Sequence, residues 1–186
     1  GNIFLTGAFE NTADFDPGAG TVNLTSAGDL DGFFAKYDAA GNYIWAKQIA
    51  GTNDASAYSL AVDGSGDIYL TGDFFETADF DPGAGTANLS SAGLSDIFIA
   101  KYNASGNYMW AKRIGNTSYD TGTKVLLDGN GDMCLLGYFG GSPDFDPGAG
   151  TATVTGAGDY DWFFAKYDAS GNYIWAKGIG GTGREF

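Results

Sequence analysis

Paired aspartates stand at three places in the chain: Asp14 and Asp16, Asp79 and Asp81, Asp144 and Asp146. Each pair sits in the same run, Asp-Phe-Asp-Pro-Gly-Ala-Gly. In an extended Asp-Phe-Asp both carboxylates project to one side, while Phe15, Phe80 or Phe145 points to the other. Pro then sets a turn, and glycines such as Gly18 and Gly20 free the backbone to aim carbonyls at a common centre. Calcium takes roughly six to eight oxygens, several of them from carboxylates and carbonyls. Two carboxylates per loop begin such a site. Asp31, Asp96 and Asp161 would complete it if the intervening segments fold back. The alternative is structural: an Asp-capped turn that packs its Phe against a sheet.

Trp45, Trp110 and Trp175 are a second set of chemical candidates. An exposed indole stacks on sugar rings; a buried one fills space between packed sheets. Lys36, Lys101 and Lys166, with Lys47, Lys112 and Lys177, account for six of the nine basic residues. They read as lysines snorkelling from an aromatic layer, with a ligand-binding ring of lysines as the alternative. The chain has no His, which removes Ser-His and Cys-His nucleophile systems. Cys134 is the single cysteine, so no internal disulfide forms; it stands where the other copies have Phe4 and Tyr69 and reads as a packing residue. Among acidic residues outside the repeated positions, Asp54, Asp120 and Glu185 stand out, and they do not suggest an acid–base pair.

These residues recur because the chain repeats itself every 65 residues. Thr12 to Gly20 returns as Thr77 to Gly85 and, with two changes, as Ser142 to Gly150. Ala35 to Lys47 returns from Ala100 and from Ala165. The copies run over about residues 1–65, 66–130 and 131–186, the last ending nine residues short of a full period. Periods of this size mean solenoids, propellers or arrays. A residue present three times belongs to the fold; one present once is where special chemistry would reside.

Within one copy four runs read as strands. Tyr58 to Asp63 places Tyr58, Leu60 and Val62 on one face, and Asp67 to Phe74 sets Ile68 and Leu70 opposite Tyr69 and Thr71. Asp96 to Tyr102 is apolar on both faces, and Tyr108 to Ile114 alternates. The 31 glycines argue against helix and suit tight turns. Asp63-Gly-Ser-Gly-Asp67 and Asn103-Ala-Ser-Gly-Asn107 are hairpin turns with Gly at the positive-φ position. The link from about Phe75 to Ser95 is too long for a hairpin and carries the Asp-Phe-Asp element, then a short outer strand over Thr86 to Ser90. Four antiparallel strands in series, covered on both faces, make a propeller blade. The fold class is all-β, with nearly three blades of four strands in one segment, residues 1–186; the first copy opens at a second strand.

The run Asp67 to Gly72, then Asp96 to Tyr102, the Gly106-Asn107 turn and Trp110-Ala111-Lys112 resemble the bacterial β-propeller repeat family, the seven-bladed propeller repeat type. The resemblance covers essentially the whole chain. It implies a secreted or cell-surface setting in bacteria and does not imply a catalytic activity.

The net charge of −14 excludes a nucleic-acid partner, which needs a basic footprint. No run approaches the length of a membrane span, so membrane insertion is not expected. The expected function is a non-catalytic extracellular or surface scaffold that binds protein or glycan. The alternatives are a calcium-stabilised fibre or adhesin, and the non-catalytic part of a carbohydrate-active enzyme. Three arrangements complete the blades: further blades of a longer chain, a second copy closing a six-bladed ring, or an extended array.

Overall fold

The computed structural model describes residues 1–184, and its regular elements are all strands. The first blade holds β1 (Ile3–Phe9), β4 (Asp31–Tyr37) and β5 (Tyr43–Gly51), with the small hairpin of β2 (Thr12–Asp14) and β3 (Asn23–Thr25) in its link. The second holds β6 (Ala55–Val62), β7 (Ile68–Asp79), β8 (Asn88–Tyr102) and β9 (Tyr108–Ile114). The third holds β10 (Asp120–Leu127), β11 (Met133–Phe139), β12 (Asp161–Tyr167) and β13 (Tyr173–Ile179). Every pairing between these strands is antiparallel, and within a blade it follows chain order. The sheets do not close into a ring. Each full sheet starts ahead of its sequence copy, at Ala55 and Asp120, because its first strand follows directly on the fourth strand of the preceding copy.

The 65-residue period is kept in the register itself. Leu5 faces Ala35, Leu70 faces Ala100 and Leu135 faces Ala165. A bulge recurs between Lys36 and Tyr37, Lys101 and Tyr102, and Lys166 and Tyr167, just before each hairpin turn. At those turns Asp38, Asn103 and Asp168 accept two backbone amides through their side chains, and Gly41, Gly106 and Gly171 take positive φ. That is the Asx-turn chemistry expected of the sequence.

Strand β7 is buried on both faces from Ile68 to Phe74, and β8 is buried from Ser95 to Ala100. Two-sided burial follows from one blade lying against the next. Two apolar clusters span the junctions: Phe34 and Ile49 pack with Ile68, Leu70 and Phe98, and Tyr69, Ile97 and Ile99 pack with Val125, Leu135 and Phe163. Cys134 is half-buried, in register with Leu126 and Lys166.

Two expectations are corrected. Tyr58, Leu60 and Val62 do not share a simple alternating face, because the ladder skips Tyr58 between Ala57 and Ser59 and leaves its side chain 52% exposed. The cause is close approach at Gly72: a Cβ there would lie 1.8 Å from the Ser56 carbonyl oxygen, so β6 runs against β7 only where a side chain is missing and the extra residue bulges out. The third blade repeats this at Gly137 and Thr123. The segment Asn88 to Ser90 is a strand, but not an outer one: it pairs with Thr77 to Asp79 and prolongs the β7–β8 hairpin.

The lysines of the third strands have a specific task. Lys101 Nζ lies 3.1 Å from Asp67 and 3.8 Å from Asp63, with the Tyr69 ring beneath it at 4.7 Å. Lys166 holds Asp128 at 2.8 Å and Asp132 at 3.0 Å. Each therefore ties the turn between first and second strands to the middle of its blade. Lys36 has no such turn in its own blade and donates instead to the Ala104 carbonyl of the next. Lys112 likewise crosses to the third blade, donating to the Gly171 carbonyl and Asn172 Oδ1.

Candidate functional site

The three Asp-Phe-Asp loops are superimposable in their bonding. Asp14 Oδ1 accepts the amides of Asp16 (3.0 Å) and Val22 (2.8 Å); Asp79 and Asp144 do the same with Asp81 and Ala87, and with Asp146 and Ala152. Asp16, Asp81 and Asp146 accept the amides of Gly18, Gly83 and Gly148 at 2.8 Å. The second oxygen of Asp16 lies where a Cβ on Gly20 would come within 2.1 Å, which explains the glycine. The amides of Val22 and Asp16 hold the Asp14 carboxyl below its usual range. The intervening Phe15, Phe80 and Phe145 are buried. Their carbonyls accept the hydroxyls of Tyr37, Tyr102 and Tyr167 at 3.1, 3.0 and 2.9 Å. Each loop is thus pinned to its own blade by a ring and a hydroxyl.

The loop also stitches blades together. Ala50 and Gly51, at the end of β5, pair with Asp79 and Ala78 of the next blade, and Gly115 bridges to Asp144. Asp31, Asp96 and Asp161 do not join the paired aspartates, as completion of a calcium site would require. Their carboxylates turn inward and cap the far end of the link, accepting the amides of Ala27, Ala92 and Ala157. Gln48 donates to Asp31 and Arg113 to Asp96. Among the described residues no three His, Cys, Asp or Glu side chains converge as a metal site would.

Trp45 and Trp110 sit at blade junctions. A Cβ on Gly106 would lie 3.3 Å from Trp45 Cη2, and one on Gly171 would lie 2.9 Å from Trp110 Cη2. Each indole therefore lies against the hairpin turn of the following blade, with Phe34 or Tyr69 edge-on to it. Trp175 has Phe164 edge-on at 5.5 Å and is half-buried.

A further cluster in the structure escaped the sequence reading. A cavity of about 230 Å³ opens between the second and third blades. Asp73 and Phe75 of β7 line it, with Ser95 of β8. Tyr119, Thr121, Tyr138 and Tyr160 complete the wall from the neighbouring blade. The rings run in sequence: Phe75 to Tyr119 at 6.0 Å, Tyr119 to Tyr160 at 6.4 Å, Tyr160 to Tyr138 at 6.1 Å, each pair steeply inclined. Asp73 is 9% exposed; Thr121 Oγ1 donates to its Oδ2 at 2.9 Å, and the Tyr58 hydroxyl lies near enough to act on its charge. Burial pushes its carboxyl up to about 6, against the pull of those two hydroxyls. Nearby Asp120 is fully buried and pushed up to about 7, first by burial and then by the charge of Asp96. It accepts the amides of Asn116 and Gly140.

None of the lining residues recurs at its equivalent position. Asp73 replaces Ala8 and Tyr138, Tyr119 replaces Asp54 and Arg184, and Ser95 replaces Leu30 and Tyr160. Comparing the copies column by column would have exposed these positions; a search limited to unrepeated carboxylates in the links passes over Asp73, which sits inside a strand. Asp120 was noticed, and Glu185 lies outside the described residues.

Residues 44–73, from the fourth strand of one blade through the first two of the next, match the beta-propeller repeat family model. That stretch carries the β-propeller repeat. The propeller repeat chain is 29% identical over 179 residues to an uncharacterized WD repeat-containing protein of Acanthamoeba polyphaga mimivirus, covering 89% of this chain and 13% of that one. It is 28% identical over 145 residues to the regulatory protein FlaEY of Caulobacter vibrioides, covering 78% of this chain and 15% of that one. The propeller repeats described here thus span a small fraction of both relatives.

Proposed function

We propose that this propeller segment is a non-catalytic scaffold that binds other proteins through one end of its blades, in an extracellular or cell-surface setting. One observation carries the reading. The end bearing the Asx-Gly turns is nearly identical in all copies: Asp38 to Asn42, Asn103 to Asn107 and Asp168 to Asn172 differ by single atoms or small side chains. The end bearing the links changes from copy to copy, at the positions that line the cavity. A constant frame with varied loops is how repeat folds carry recognition surfaces. Against catalysis, Asp73 is the one carboxylate in the wall of that cavity. Asp96 and Asp120 are held by loop amides, whereas paired-carboxylate hydrolysis needs two acids facing one cleft.

Two variants of the chain test this. One replaces Tyr119 and Tyr138 with Ser; the other replaces Asp38 and Asp168 with Asn at the uniform end. Partner capture should fall with the first and persist with the second. Capture that survives the first variant and fails with the second would overturn the proposal. Retention of a glycan, but of no protein, by the unmodified chain would also overturn it.

A further inference from the structure

The cavity between the second and third blades combines four aromatic rings and one buried carboxylate, and no basic side chain lines it. Resting on the scaffold reading above, we propose that it takes a single alkylammonium group, the end of a lysine side chain of a partner protein. Asp73 is the counter-ion, and Phe75, Tyr119, Tyr138 and Tyr160 are the walls.

The argument begins with Asp73. A carboxylate only 9% exposed has lost most of its water and has one hydroxyl hydrogen bond, from Thr121, in exchange. Hydroxyls orient such a group but do not neutralise it. A cation in contact does, and gains a strong charge-assisted hydrogen bond. Ser95 supplies the second polar element. Its hydroxyl is buried without a hydrogen-bond partner and belongs to the same wall. An ammonium head carries three donors, enough for Asp73 and for a serine oxygen.

The rings supply the rest. A cation is attracted to the face of an aromatic ring within about 6 Å of its centre, and more strongly where water is excluded. Steeply inclined neighbouring rings, as in the run from Phe75 to Tyr138, present faces in several directions around one space. The protein already places cations on its own rings: the Arg184 guanidinium lies 5.2 Å from the Tyr160 ring centre and the Lys101 ammonium 4.7 Å from that of Tyr69. The cavity volume of about 230 Å³ is below the range of roughly 300–1,000 Å³ typical of whole small-molecule sites, and suits one head group on a chain that continues into solvent. The chain's net charge of −14 draws cations toward it. A neutral sugar would gain stacking from the tyrosines and hydroxyl hydrogen bonds to Asp73, but would leave the carboxylate charge uncompensated.

The test is a titration of the 186-residue chain with n-butylammonium, n-butanol and N-acetylglucosamine, read by backbone amide NMR shifts at Thr121, Tyr138 and Tyr160. Butylammonium should saturate, with butanol at least tenfold weaker. Asp73→Asn should weaken butylammonium at least tenfold while the variant keeps the amide spectrum of a folded chain. Tyr138→Leu, which keeps an apolar side chain but removes a ring, should weaken it severalfold. Equal binding of butylammonium and butanol, preferential saturation by N-acetylglucosamine, or unchanged binding by Asp73→Asn would overturn the chemistry of the cavity, leaving the scaffold reading to stand or fall on partner capture. Butylammonium binding that behaves as expected, with partner capture untouched by Asp73→Asn, would overturn the assignment of the group to a partner.

Discussion

Asp120 should make the stability of this protein fall as pH rises. The carboxyl is fully buried and titrates at about 7 in the folded chain, against an ordinary value of 3.8. Between those values the folded state keeps a proton that the unfolded chain has released. The folded state is then the more protonated one, so stability declines with pH through this window. The contribution is fully present below about pH 4 and lost once the pH has passed about 7. Each unit is worth about 1.4 kcal/mol, so the part lost between pH 5 and pH 8 is on the order of 2–3 kcal/mol. For a chain of this length that is a melting-temperature change of about 5–10 °C. Asp120→Asn cannot ionise and should abolish this share of the slope. Its amide oxygen can still accept the Asn116 amide, while its NH₂ faces that of Gly140, a pH-independent cost. Asp73 and Asp96, whose pKa values burial also raises, keep titrating in both proteins, and Arg113 remains beside Asp96. The measurement is thermal unfolding of both proteins at pH 5, 6.5 and 8, read as the difference between them. The variant should gain on the unmodified chain as pH rises. A difference that is the same at pH 5 and pH 8 would show that Asp120 ionises normally and that its burial is not felt as charge.

Phe80→Ala should cost about 3–5 kcal/mol, because the ring is fully buried between Phe74 and Phe98 and its loss leaves a cavity beneath the link; urea unfolding checks it, and a loss under 1 kcal/mol, a floor set below about 3 kcal/mol, would mean that the loop does not depend on its anchor. Gly72→Ala should cost about 3 kcal/mol or more by driving β6 off β7, since the new Cβ would meet the Ser56 carbonyl; amide exchange should show faster opening from Ala55 to Ser59, and unaltered protection there would refute the close approach. Millimolar calcium, or a chelator, should leave the melting temperature unchanged: each loop offers two carboxylates, and one oxygen of each already accepts backbone amides. A rise of several degrees that Asp14→Asn diminishes would restore calcium to the Asp-Phe-Asp loops.

The blade was legible in the sequence because its evidence comes three times over. Period-two alternation, Asx-x-x-Gly turns and a constant repeat length each constrain the same four strands, and the register Leu70 to Ala100 is reproduced in every copy. The bulge at Tyr58 was not legible, because it depends on the absence of a side chain on a different strand, at Gly72. The inward turn of Asp31, Asp96 and Asp161 was missed for a related reason: it is set by amides at Ala27, Ala92 and Ala157, whose position only the folded link defines. The cavity was the hardest to see. Its residues come from four strands and two links of two blades, and each looks ordinary where it stands. Repetition draws attention to what is shared, whereas this cavity is built from what differs.

The backbone pairing of Ala50 and Gly51 with Ala78 and Asp79 has a temporal side. Synthesis runs from the amino end, so β5 leaves the ribosome with its end unpaired and must wait until residue 79 has emerged. By then all of β6 and β7 has been made, and the loop that seals one blade is anchored by the Phe80 of the next. Gly115 and Asp144 impose the same delay one period later. The nascent chain therefore matures with a lag of about half a repeat, each unit finished by its successor, and an interruption anywhere leaves one open edge at the growing end.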